Sequence, residues 1–475
     1  MQINIKNIGV VEDSSVDIGG LTVITGKNNS GKTTVGKILY AIFSAKENLY
    51  ENATADIIRY VKRQTTVIIR DSRLAFFFRK PGIFNEDVAP HDNILLNAYH
   101  GNHPLLGSID DANQYILSIC ATIQGLDFDE MSEKNGQDSN RGFKYSSKEE
   151  FDEGMLKIVA EFHILLEQVQ KLSDFDFYET TKIHKILLKE FYGQIAPVKY
   201  PERNQSAILL KKANDHYCIS IDNSLKIASA EGYLGFEDIS NVVFIDDVTI
   251  LDNVAPSFVK YYDQMKMSAR CNESSDAIFI EEHKYSLIYK LSLGQDIVGS
   301  IIDGEVLAKI NQKISSILQS DIVVKDGSFV CSSDNLNLAN LALGSKMFAI
   351  LKMLLANGRI NSKTLLILDE PESHLHPMWQ NKLAELVTIL VKELNLKTVI
   401  TSHSPNFVLA LQTYAMKYDI VDTCKFYSTE KRQDGYTVDY KLMNEDLTMV
   451  YADFSKPLSE IKALFDVLKY GEDND

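Results

Sequence analysis

The chain has 475 residues, 45% of them apolar and 24% charged, and its 49 Lys and Arg against 65 Asp and Glu give a net charge of −16. At roughly 150 residues per domain, that composition describes two to four folded domains with proper cores and excludes whole-chain disorder. The acidic balance disfavours an all-over nucleic-acid coat while leaving room for a local basic stripe.

The first strands are legible at once. Ile3, Ile5, Ile8, Val16 and Ile18 alternate with polar residues and predict a strand pair, and Leu21-Thr-Val-Ile24 predicts a buried strand. These run into Gly26-Lys27-Asn28-Asn29-Ser30-Gly31-Lys32-Thr33-Thr34, after which Val35, Ile38, Leu39, Ala41, Ile42 and Phe43 recur at helical spacing. From 45 to 192 the pattern is mostly helical, as in Met155, Ile158, Val159, Phe162, Leu165, Leu166 and Val169, with a polar stretch at 128–154 predicting a mobile loop. Between 206 and 252, Ala207-Ile-Leu-Leu, His216-Tyr-Cys-Ile-Ser-Ile and Val242-Val-Phe-Ile predict strands of a small sheet arm. Residues 257–320 read as helical around a loop at 268–278, and Asp326-Gly327 marks a hairpin.

Thr364-Leu-Leu-Ile-Leu-Asp369 is a short apolar run suited to a buried parallel strand. A helix is predicted from about Pro377 to Leu394, and Lys397-Thr-Val-Ile-Thr-Ser-His403 is a second buried strand. Thr423–Tyr427 and Gly435–Leu442 read as a strand pair, followed by a terminal helix at Pro457–Leu468 and an acidic tail. The five cysteines, Cys120, Cys218, Cys271, Cys331 and Cys424, are far apart with no CxxC pair, as expected of buried thiols in a reducing compartment. No apolar run reaches the ~20 residues of a membrane span, and Met-Gln-Ile-Asn-Ile-Lys-Asn has no signal-peptide core. A cytoplasmic protein without a membrane partner is predicted.

Three clusters carry chemistry. Gly26–Thr34 fits GxxxxGK[ST] between a strand and a helix, the context in which backbone amides at a helix N-terminus wrap phosphate oxygens. Lys32 then places a cation on the β- and γ-phosphates of ATP, and the Thr33 hydroxyl can ligand Mg²⁺. Asp369 and Glu370 end the second strand: Asp369 is expected to hold Mg²⁺ and Glu370 to activate the attacking water as general base. His403, at the end of the next strand, is placed to orient that water. All three clusters should lie at strand carboxyl ends, where open α/β sheets bind their ligands.

At Gly26–Thr34, Ile367-Leu-Asp-Glu-Pro-Glu-Ser-His-Leu-His-Pro377 and Ile400-Thr-Ser-His-Ser-Pro405 the chain resembles the ABC-type ATPases of the RecF/OLD branch. The resemblance covers roughly 1–45 and 320–430. It implies an α/β fold, an ABC-type P-loop ATPase head split by a long, mostly helical insertion with a small β arm. The expected divisions are 1–45 and 321–430 for the halves of the head, 46–205 for the helical insertion, 206–255 for the β arm, 256–320 for a helical segment and 431–475 for a C-terminal strand and helix.

The resemblance also implies two heads paired head to tail, each ATP lying between one P-loop and a signature loop of the other copy. Leu341-Ala342-Leu343-Gly344-Ser345-Lys346 is the candidate signature, with Ala342 where such ATPases carry a serine, so slow hydrolysis is expected. Leu291-Ser-Leu-Gly-Gln295 matches the letters better but lies much farther from Asp369. Ser373-His374-Leu375-His376 would form a subunit-contact loop, with a metal-binding His pair as the less favoured reading. Asp246, Asp247 and Asp252 read as an acidic strand end rather than a metal site.

Arg59, Lys62, Arg63, Arg70, Arg73, Arg79 and Lys80 surround Phe76-Phe77-Phe78 with one acid, Asp71, among them. Two readings stand open: a docking patch for DNA or an acidic phage protein acting as trigger, or a solvated helix face beside an aromatic cluster. The stretch after His403 is too short for the Toprim nuclease of OLD proteins, so any nuclease or toxin should be a separate effector. The resemblance extends to stand-alone ATPase subunits of bacterial anti-phage systems of the PARIS, Septu or retron-associated type. The alternative is a RecF-like ATPase that clamps DNA in repair.

Overall fold

The computed structural model describes residues 1–75, 94–129, 132, 145–197, 205–221, 227–233, 238–257, 281–293, 304–444 and 447–470. The predicted loop at 268–278, Phe76–Phe78, Arg79, Lys80, Cys271, Gly294, Gln295 and the acidic tail lie outside them. The chain forms two compact units, Met1–Glu47 with Thr181–Asp475, and Asn48–Thr180.

The first unit is built on a sheet of eleven strands among the described residues: β1 (Gln2–Ile8), β2 (Val11–Asp17), β3 (Leu21–Thr25), β4 (Ser206–Lys212), β5 (Asp215–Ile221), β6 (Ile227–Tyr233), β7 (Asn241–Ile245), β10 (Thr364–Asp369), β11 (Lys397–Ser402), β12 (Cys424–Lys431) and β13 (Val438–Leu442). Their order is β6-β5-β4-β1-β2-β13-β12-β3-β11-β10-β7, and β8 (Ile322–Lys325) with β9 (Ser328–Cys331) makes a separate hairpin around Asp326-Gly327. From β12 to β7 every neighbouring pair is parallel.

The parallel strands are short apolar runs because both of their faces are covered. Leu21 and Val23, Val243 and Ile245, and Leu366 and Leu368 face one core with the helices Leu343–Ala356, Pro377–Leu394 and Pro405–Lys417. Ile24, Val242, Phe244, Leu365 and Ile367 face the other, against Val35, Ile38, Leu39, Ile42 and Phe43 of the helix Lys32–Lys46. The fold is thus a mixed α/β head interrupted by a mostly helical segment.

Of the predicted β arm, β4 to β6 extend the sheet antiparallel from β1, whereas β7 lies at the opposite edge beside β10. The five residues of β7 are all buried, which suits a strand covered on both faces rather than an exposed arm. The terminal helix begins at Thr448, nine residues before its predicted start, and carries Pro457 inside it. Part of the predicted mobile loop is also helical: Ser147 caps Lys148–Leu172 by accepting a hydrogen bond from the Glu150 amide, the Ser-x-x-Glu start signal that a polar stretch conceals. Cys120, Cys331 and Cys424 are buried and Cys218 is half-buried. Among the described residues no helix is long and apolar enough to cross a membrane.

The second unit packs Leu49–Asp71, Ile109–Gln124 and Lys148–Leu172 around their own core. Ile57, Val61 and Ile69 recur on one face of the first helix and meet Ile116, Ile119, Phe151 and Phe162. That spacing turns Arg59, Arg63 and Arg70 to other faces of the helix.

Candidate functional site

Parallel register assembles the site. Thr25 at the end of β3 pairs with Ser402 of β11, and Asp369 at the end of β10 pairs with Thr401, so the loops beginning at Gly26, Glu370 and His403 leave the sheet at one level. Ile245 of β7 pairs with Leu368, which brings Asp246 to the same edge.

The loop 26–31 needs its glycines. Gly31 has φ 73° and caps the helix Lys32–Lys46, and a Cβ there would lie 2.8 Å from Val10; at Gly26, with φ 153°, one would overlap the Thr429 hydroxyl at 1.8 Å. The loop is held from the C-terminal hairpin, where Thr429 Oγ1 donates to Ser30 Oγ at 2.7 Å and Tyr440 OH donates to the Gly31 carbonyl at 2.7 Å. Gly31→Ala is expected to destabilise the head by about 1–3 kcal/mol through strain and this clash, and to weaken nucleotide binding in parallel. Thermal melting with and without nucleotide reads both effects.

Lys32 is buried, donates to the carbonyls of Gly26 at 3.1 Å and Lys27 at 2.9 Å, and lies 3.3 Å from Glu370 Oε1. Thr33 Oγ1 donates to both Asp369 oxygens, at 3.0 and 2.8 Å, and the Thr401 hydroxyl donates to Asp369 Oδ1. Burial pushes the Asp369 carboxyl above its ordinary range; the Thr401 and Thr33 hydroxyls pull it down, and the nearby charges of Glu370 and Asp246 push it up again. A crowded, desolvated carboxylate beside a hydroxyl is a set of hard oxygen donors of the kind Mg²⁺ takes.

Glu370 has a left-handed backbone, φ 48°, strained for a side-chain-bearing residue and held by its amide donating to the Thr401 carbonyl and hydroxyl, both at 3.1 Å. Its Oε2 lies 3.2 Å from His403 Nδ1. Lys32, Thr33, Asp369, Glu370 and His403 are therefore brought together. Sequence reasoning missed Thr401 and Glu372, although both stand inside the quoted motifs. It also missed Thr429 and Tyr440, which carry no local signal.

Ala342 is the N-cap of Leu343–Ala356 and offers no side-chain cap, while Ser345 and Lys346 donate their amides to the Ala342 carbonyl. Gly344 packs against the loop after β10, where a Cβ would meet Leu375 and the His374 carbonyl, and the buried Lys346 ammonium pairs with Asp252. The better-lettered Leu291-Ser292 is buried at the carboxyl end of Glu282–Ser292, the wrong end of a helix for amides that cap an anion. A groove runs from Asp369 and Glu370 past His374 and Leu375 to Leu343, with Asp246 and Asp247 on its wall. His376 Nδ1 accepts from the Met378 amide as a helix cap.

The three aspartates diverge. Asp247 caps Thr249, Asp252 pairs with Lys346, and Asp246 joins a buried network instead. There His283 stacks on Phe244 at 4.3 Å, its Nδ1 lies 2.7 Å from Glu190 Oε2, and its Nε2 makes a 3.0 Å ion-pair contact with Asp246. Burial alone would lower the imidazole, but the Asp246 and Glu190 carboxylates outweigh it and raise it to about 9. Asp246, Glu281 and His283 offer the one group of three potential metal-ligand atoms within 4.8 Å among the described residues. Lys37 at 2.9 Å and Lys284 at 2.6 Å already neutralise Glu281, and Lys284 reaches Asp246 at 3.5 Å, so charge there is balanced without an ion.

In the second unit, Arg59 pairs with Asp56, Arg70 donates to the Tyr99 carbonyl at 2.8 Å, and Arg73 meets Glu150 at 2.6 Å beneath the Tyr145 ring. Arg63 is also engaged, and Lys62 stands on the same helix. The contacts of Arg59, Arg70 and Arg73 lie within the unit.

The family model described as the AAA ATPase domain matches residues 1–408. No curated protein matches the chain. Among solved structures it is similar to an Smc head bound to the C-winged helix domain of ScpA, at 9% identity and a TM-score of 0.38 over 95% of this chain and 98% of that one. The SMC head domain from Thermotoga maritima gives 8% and 0.34 over 93% and 97%. An Smc head domain with an extended coiled coil, bound to the C-terminal domain of ScpA and derived from Pyrococcus furiosus, gives 11% and 0.36 over 97% and 98%.

Proposed function

The chain belongs to the AAA ATPase domain family, and on that premise we propose that it is a slow, ABC-type ATP switch. Its heads pair around ATP and act as sensor and scaffold for a separate nuclease or toxin effector in bacterial defence against phage. The observation that carries the nucleotide part is the convergence of Lys32, Thr33, Asp369, Glu370 and His403 at the carboxyl ends of β3, β10 and β11.

In this reading the amides of the 26–33 loop and the N-terminus of Lys32–Lys46 receive the phosphates, and Lys32 exchanges its carbonyl partners for them. Thr33 and Asp369 would hold Mg²⁺, which when bound neutralises phosphate charge. Glu370 accepts the proton of the attacking water, and His403, in contact with Glu370, keeps that carboxylate aimed. Ala342 has a methyl group at the N-cap where a hydroxyl would reach a phosphate, which supports slow turnover and a switch rather than a motor. The effector and phage trigger rest on the motif resemblance alone.

Lys32→Ala is expected to abolish ATP binding, since it removes the buried cation facing the phosphates. Calorimetric titration checks it, and retained affinity would sink the site assignment. Affinity purification of the tagged chain from its own operon, with native mass determination under ATP, tests the wider role. A stoichiometric nuclease-like or toxin-like companion supports the scaffold. An ATP-dependent dimer carrying only DNA, with affinity falling steeply in salt, would replace it by the RecF-like clamp.

A further inference from the structure

The two loops that carry Glu370 and His403 are tied by a carboxyl that none of the steps above uses. Glu372 is 2% exposed, and its Oε1 accepts from Ser402 Oγ at 2.6 Å and from the His403 amide at 3.2 Å. Ser402 Oγ in turn accepts from the Ser404 amide at 3.1 Å, so one carboxyl oxygen fixes three consecutive residues with His403 in the middle. The other oxygen, Oε2, is buried without a hydrogen-bond partner among the described residues. Leaving a buried acceptor unpaired costs stability, so an acid that served packing alone would be better replaced by an apolar side chain.

The geometry points to Glu372 as a positioning residue that holds the His403 loop so that the imidazole stays against Glu370. This inference rests on the ATPase reading above. Its logic is distance: His403 Nδ1 is 3.2 Å from Glu370 Oε2, and among the described residues the His403 backbone has no other hydrogen bond to the turn after β10. A shift of about 1 Å in a catalytic group can cost on the order of 100-fold in rate. Burial pushes the Glu372 carboxyl up, with the Ser402 hydroxyl, the His403 amide and the His403 charge pulling it back. A neutral side chain with the same carbonyl oxygen should therefore serve in its place.

The test is steady-state ATP hydrolysis by the full chain. Glu372→Ala is expected to lower kcat by about 10- to 100-fold with KM for ATP within about threefold, because binding is left intact and only the aligned water is lost. Glu372→Gln, which keeps the acceptor, should stay within about threefold of wild type. In a His403→Ala background, Glu372→Ala should cost no more than about twofold, since residues acting through one another are not additive. Ser402→Ala, which leaves the carboxyl in place and removes one donor, should show a smaller loss with the same dependence on His403; it decides the matter if Glu372→Ala melts at the assay temperature.

Full activity in Glu372→Ala, a Gln variant as poor as the Ala variant, or equal losses with and without His403 would each overturn the inference. A wild-type chain that turns over no ATP would instead sink the ATPase reading itself.

Discussion

Glu370→Gln is expected to lower ATP turnover by about 100- to 10,000-fold while nucleotide stays bound, the range that loss of a general base produces. The substitution is close to pure chemistry. Gln has the shape of Glu, tolerates the same strained backbone held by Thr401, and leaves the His403 contact sterically unchanged. It removes the proton acceptor and, in addition, the negative charge 3.3 Å from Lys32. Lys32 then has one competitor fewer for phosphate, so ATP affinity should hold or rise. If heads pair around ATP, the variant should accumulate as an ATP-bound dimer. Phosphate release and native mass are the two readouts, and turnover within tenfold of wild type would show that the water is activated by another group.

His283→Ala should be the most destabilising single change of those considered, at about 3–5 kcal/mol, because it strands the buried Glu190 carboxylate and takes one of two cations from Asp246. Glu190 is fully buried and cannot turn to water without opening the packing of Tyr40 and Phe244 around the ring, whereas Asp246 borders the groove and keeps Lys284 at 3.5 Å. The same network predicts a pH dependence. The imidazole is raised in the folded chain from 6.5 to about 9, so its contribution is complete below about pH 6.5 and lost as pH climbs through 9. Denaturant unfolding should show wild-type stability falling between pH 7 and 10, with His283→Ala flattening that slope. The effect would reach the site as well, since Asp246 is among the charges that press on Asp369.

Much of this was legible in the sequence where chemistry is local. The P-loop, Asp369-Glu370 and His403 announce themselves because polar residues follow directly on short apolar strands, and parallel register brings such strand ends together without further information. Strand neighbours are another matter. β7 reads like the strands that precede it in the chain, yet it joins the sheet at the far edge, a choice made by burial on both faces rather than by any turn signal. Glu190, His283 and Asp246 meet from three separate elements, and no spacing betrays them. Pro457 misled in the opposite direction: it reads as a helix start, whereas the helix already runs from Thr448.

The tie between the C-terminal hairpin and the P-loop has a consequence for biosynthesis. β3 is flanked by β11 and β12, and Ser30 and Gly31 are braced by Thr429 and Tyr440, 399 and 409 residues further on, so the loop is shaped by strands made long after it. Until those strands arrive the nascent amino end has an apolar strand with no partner on either side, the kind of edge that attracts chaperones or misassembles. A chain made only as far as residue 396 therefore carries a complete GxxxxGKT sequence after a strand that lacks both of its neighbours. The finished shape of the 26–31 loop thus waits on residues 424–442.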